Sequence, residues 1–149
     1  MLRQLMLVLH LLGAMLWVGG MFFAYFCLRP AAADVLQPPQ RLPLWSATFA
    51  RFLPLTAAAV VAILASGFIL LLQVGFRNAP VAWHIMMTLG LVMAAVFVYV
   101  YAVAYPKLRE ACAADAWPRA GEALGTIRQA VALNLVLGAA TVIAATWIR

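Results

Sequence analysis

Charge is scarce in this sequence. Only 9% of its 149 residues are Asp, Glu, Lys or Arg, against about a quarter in an ordinary soluble domain. The four acids, Asp34, Glu110, Asp115 and Glu122, all fall between long apolar runs and never within them. That placement removes paired carboxylates for acid–base work and any carboxylate to orient a catalytic histidine, so no catalytic residue is assigned. Cysteine is nearly absent. Cys27 and Cys112 form no C-x-x-C spacing, which excludes a dithiol motif, and both read as inert thiols. Also missing are a phosphate-cradling glycine loop, a low-complexity segment and an internal repeat of the whole unit.

Apolar residues fill the space, at 68% of the chain. Four runs, at about 5–27, 53–75, 81–104 and 129–148, have the length that about 20 helical residues need to cross a bilayer. The first is too long for the roughly 7–15-residue core of a signal peptide. In hydrocarbon every backbone donor must be satisfied within its own segment, so the spans are helices. The fold class expected is an all-α integral membrane four-helix bundle, up-down-up-down, forming one domain over residues 1–149. Between the first two spans, RPAAADVLQPPQRLPLWSATFAR (29–51) reads as a proline-rich structured loop, with Pro30 helping to stop the first helix. RNAP (77–80) is a tight turn. The third helix is expected to continue into water and to turn at Trp117-Pro118.

The net charge of +6 does not point to nucleic acid, because the basic residues sit singly at span ends and form no stripe. They set topology instead. One side holds Arg29, Arg41, Arg51, Lys107, Arg109, Arg119 and Arg128, the other Arg3, Arg77 and Arg149, which places both termini outside by the positive-inside rule. The lipid bilayer is the partner the apolar runs imply, and they are compatible with a homo-oligomer.

Polar residues inside the spans carry the functional signal, since an intramembrane ionisable group marks a site by default. At 3.6 residues per turn Arg3, Met6, His10, Gly13, Trp17 and Gly20 share one face of the first helix. His84, Met87, Thr88 and Leu91 share a face of the third, with Trp83 beside His84. On parallel spans His10 and His84 fall at matched depth near the outer face. Diagonal helices of a bundle would leave room between them for a heme b with two axial histidines. In this preferred reading Gly13 and Gly20 make space, Trp17 and Trp83 wall the pocket, and Arg3 meets a propionate. The role would be electron transfer, with quinone or a small oxidant as redox partner. The alternative is copper: Met6 and Met87 add thioethers to the two histidines, and soft ligands select Cu(I). Asn134 in the fourth span is expected to hydrogen-bond a neighbouring helix.

Three stretches, LHLLGAMLWVGGMFFAYFCLRPA (9–31), WHIMMTLGLVMAAVFVYVYAVAYPKL (83–108) and IRQAVALNLVLG (127–138), resemble the copper resistance D (CopD) family of bacterial membrane proteins. The resemblance implies a four-span unit of the bacterial inner (plasma) membrane that binds or transports copper. The same pattern is similar to the HemJ family of heme-binding four-span proteins, which implies heme and protoporphyrinogen oxidation, with His10 and Trp83-His84 at its motif positions. This chain departs from HemJ where that family has a lysine two residues after the second histidine; here that residue is Met86.

Overall fold

The computed structural model describes residues 1–147; Ile148 and Arg149, and with them one of the topology-setting arginines and the end of the fourth expected span, lie outside the described residues. Helix α1 (Leu2–Phe23) passes through a π-helical turn, Ala24–Leu28, into α2 (Arg29–Val35). Helix α3 (Pro38–Val74) follows, then α4 (Val81–Tyr99), a second π turn (Val100–Ala104), α5 (Tyr105–Ala113) and α6 (Trp117–Trp147). Among the described residues, four continuous helical stretches, 2–35, 38–74, 81–113 and 117–147, are long and apolar enough to cross a membrane. The all-helical membrane fold is as expected. On α1 the outward stripe is Leu5, Leu9, Leu12 and Leu16, spaced as one face of a helix. These apolar side chains are exposed because their medium is lipid.

The proline-rich loop is a correction. Residues 29–51 are helical apart from Leu36 and Gln37, and Pro30 does not stop the first helix. A proline inside a helix clashes with the carbonyl four residues back and supplies no N–H. Here the π turn just before it widens the helix: the Arg29 N–H bonds the Ala24 carbonyl, five residues back, so Pro30 enters as the first turn of a re-registered helix. The same device recurs before Pro106, where the Tyr105 N–H bonds the Val100 carbonyl. Pro38 and Pro39 open α3, where the missing N–H is harmless. The second connection turns just before Trp117. Asp115, with φ 51°, stands in the left-handed region, and the Ala116 N–H reaches back to the Ala111 carbonyl at 2.9 Å, a Schellman-type stop.

These parallels make the molecule two helical hairpins built to one plan, a repeat that residue identities conceal. α1 packs along α3, and α4 along α6. At one constant spacing, buried Trp17, Met21 and Ala32 correspond to buried Met93, Phe97 and Leu108. At a slightly longer one, Leu42, Trp45, Phe49, Thr56, Val60 and Ser66 of α3 correspond to Ala120, Ala123, Ile127, Asn134, Gly138 and Ala144 of α6, all buried.

Small residues let the helices approach. A Cβ on Gly13 would lie 2.8 Å from Ile63 Cγ1 and 3.1 Å from the Ala59 carbonyl oxygen, and one on Gly20 would run into the Phe52 ring. Asn134 on α6 is buried and its Nδ2 donates to the Met93 carbonyl of α4 at 3.2 Å, the interhelical bond expected of it. Trp17 meets Phe97 edge-on, ring centroids 6.1 Å apart, closing the centre of the bundle between the hairpins.

Candidate metal site

Above that aromatic contact the four long helices part around a cavity of about 270 Å³. Its first-hairpin wall includes Leu7, His10, Ala14 and Trp17, and its second-hairpin wall Trp83, Met86, Gly90 and Met93. By the hairpin correspondence these are equivalent positions, taken in pairs. His10 therefore faces, as its counterpart, Met86. His84 takes the place of Val8, whose side chain points outward to lipid.

Among the described residues His10 is held through one ring nitrogen only. Its Nδ1 lies 3.0 Å from the Ile63 carbonyl oxygen and 3.2 Å from Ser66 Oγ. A carbonyl can only accept, so Nδ1 must carry the ring proton, and Nε2 is left with its lone pair. Ser66 is suited to its share because its hydroxyl donates to the Ala62 carbonyl and so offers lone pairs to the imidazole. Gly67 makes the approach possible: a Cβ there would stand 3.2 Å from His10 Cε1. Metal-binding histidines commonly donate the other ring N–H to a carbonyl in just this way, which fixes the tautomer and the ring plane.

His84 is engaged elsewhere. Its Nε2 lies 3.1 Å from the Phe76 carbonyl, and its ring leans on Phe76 with centroids 6.2 Å apart, so it caps the turn between α3 and α4. The structure does not bring it to the cavity. Nor does it bring Arg3 or Met6 there, while Gly13 and Gly20 serve the α1–α3 contact. Trp17, Trp83 and Met87 do line the cavity. The residues that sequence reasoning passed over are Met86 and Met93 in the wall, and Ser66 and Gly67 behind His10. The signal that finds Met86 is the pair of prolines: aligning Tyr25…Pro30 with Tyr101…Pro106 carries His10 onto it.

Residues 46–148 match the sequence model of the family described as copper resistance protein D, CopD. The chain belongs to the CopD family. No curated protein and no solved structure matches it. The match takes in Ser66, Gly67, Met86, Met87 and Met93; His10 precedes it.

The donors present fit the family's metal. One imidazole nitrogen and up to three thioethers on a single apolar cavity form a soft set, and soft ligands favour Cu(I). Among the described residues no three His, Cys, Asp or Glu side chains come together, so the harder donor sets of zinc or calcium sites are not built here. A heme between His10 and His84 finds no support in this arrangement. The two rings are bonded to different carbonyls, and His84 does not line the cavity that His10 enters.

Proposed function

We propose that this chain is a copper-handling protein of the bacterial inner membrane that takes Cu(I) into the cavity between its hairpins. His10 Nε2 and the thioethers of Met86, Met87 and Met93 are the ligands, and Ile63 and Ser66 hold the imidazole in the tautomer that can ligate. The observation that carries the reading is the Nδ1 contact at 3.0 Å to a carbonyl. It commits one ring nitrogen and leaves the other to a wall made mostly of apolar side chains and methionine sulfur, in which the Thr141 hydroxyl is turned to the Leu137 carbonyl. An unliganded lone pair in such surroundings has a desolvation cost that a soft cation removes.

Orientation follows from the basic residues. With Arg29, Arg41, Arg109, Arg119 and Arg128 in the cytoplasm, the cavity opens in the outer half of the membrane, where copper arriving from outside is met first. The match to CopD supports copper as the cargo. Electron transfer, quinone and heme b have no comparable support.

The test is a Cu(I) titration of purified protein in detergent under reducing conditions, against a colorimetric Cu(I) chelator, with the visible spectrum recorded on the same sample. One Cu(I) per chain is expected, with binding lost in His10→Ala and weakened at least tenfold in Met86→Leu. A Soret band in the protein as purified, abolished by His10→Ala, would restore the heme reading. Wild-type copper binding in both variants would overturn the proposal.

A further inference from the structure

At the opposite end of the bundle from His10 lies a second cavity, of about 440 Å³, between the first π turn, the start of α3 and the start of α6. Among the described residues three guanidinium groups line it, those of Arg29, Arg41 and Arg128, and no acidic residue does; Asp34 and Glu122, each next in sequence to a lining residue, are not part of it. Arg41 is half-buried, while Arg29 and Arg128 stand at the exposed rim. The floor is apolar, with Trp45, Phe49 and Val131.

Like charges gathered at one cavity repel one another, and an arrangement of this kind is stable when an anion completes it. Arg29 follows directly on the π turn, and its guanidinium lies 5.2 Å from the ring centroid of Tyr25 in that turn. The other hairpin supplies an internal comparison. Its counterpart of Arg29 is Tyr105, which lies edge-on to Phe49 with centroids 6.4 Å apart, and its counterpart of Arg128 is Ala50. The counterpart of Arg41 is Arg119, so the two halves differ at the Arg29 and Arg128 positions, where one hairpin has an aromatic ring and a small side chain and the other has cations.

We infer that this cavity binds a phosphate group, with Arg29, Arg41 and Arg128 as its ligands. Planar guanidinium forks match phosphate oxygens in pairs, and basic pockets between membrane helices on the cytoplasmic side suit anionic lipid headgroups. The apolar floor suits the acyl end of such a lipid. A soluble phosphate would use the same three side chains, so the experiment separates the two sources.

Native mass spectrometry of the detergent-purified full chain would be run after exposure to phosphatidylglycerol or to phosphatidylcholine, and thermal unfolding measured in parallel with and without inorganic phosphate. A lipid site retains phosphatidylglycerol over phosphatidylcholine, and Arg41→Gln with Arg128→Gln reduces that retention at least tenfold. Arg77→Gln, at the other end of the bundle, leaves it unchanged. A site for free phosphate shows no lipid preference, but phosphate raises the wild-type unfolding temperature and fails to do so in the double variant. Equal retention of both lipids together with no effect of phosphate on wild type overturns the inference, and so does a response in Arg41→Gln/Arg128→Gln equal to that of wild type. The wild-type measurements decide the matter even where a variant fails to fold.

Discussion

Replacing Gly67 by Ala tests whether the placement of His10 matters for metal binding or only for packing. The added methyl would stand 3.2 Å from His10 Cε1 and 3.5 Å from Nδ1, inside the roughly 3.5–4.0 Å at which carbon atoms rest against one another. The ring must withdraw by a few tenths of an ångström. Its Nδ1 contacts at 3.0 and 3.2 Å then move toward the limit of a useful hydrogen bond, and the plane of the ring tilts in the cavity. Disturbing an outer partner of a metal-bound histidine costs about 10–100-fold in affinity, or about 1.4–2.7 kcal/mol. The fold should change less, because the gain in helix propensity from Gly to Ala, up to about 1 kcal/mol, offsets part of the crowding. Chelator competition gives the affinity, and thermal unfolding in detergent gives the stability. Gly19→Ala is the control, on the same helix as His10 but with open space where its Cβ would lie. Wild-type Cu(I) affinity in Gly67→Ala would refute the reasoning, since a ring displaced without consequence is not a ligand.

Four further outcomes follow from the geometry. His84→Ala should leave Cu(I) affinity within about twofold of wild type, the scatter that neutral substitutions show, because the ring caps the Phe76 carbonyl outside the cavity; loss of binding in the same titration would restore the two-histidine pairing. Gly13→Ala meets a backbone oxygen as well as Ile63, and unfolding in detergent should show the about 1–3 kcal/mol typical of overpacking. Asn134→Ala removes the bond to the Met93 carbonyl and should lower stability by about 0.6 kcal/mol, up to about 1.7, the range for polar contacts between membrane helices. Thr56→Val should leave stability unchanged or raise it by about 1 kcal/mol, because the Thr56 hydroxyl is buried with no hydrogen-bond partner among the described residues and an isosteric apolar group removes that burden.

Some of the site was legible in the residues. His10, Trp17, Trp83 and Met87 were recognisable as polar, aromatic or ligating groups in spans, and all four line the cavity. Matched depth does not bring His84 to the cavity that His10 lines, because depth in the membrane is one coordinate and rotation about the helix axis is another. Two residues at one level meet only if both faces turn inward, and the face of α4 is set by its contact with α6, through Asn134 and Gly138. Glycines misled for a related reason. A gap left by a missing side chain can admit a cofactor or a neighbouring helix, and at Gly13 and Gly20 it admits Ile63 and Phe52. Pro30 does not stop the first helix because its local effect depends on the turn before it, and a π turn is not encoded by any single residue.

The sequence by itself determined the solvent, the number of crossings and the scarcity of acid chemistry. These follow from composition and run length, which the cost of burying charge and bare backbone in lipid makes decisive. Only the tertiary structure decided which donors share a cavity, which ring nitrogen of His10 is free, and that three arginines distant in sequence close on one pocket. Those properties depend on helix rotation and on two π turns that shift the register after Phe23 and Tyr99. They are settled by packing between segments, which no stretch of chain carries alone.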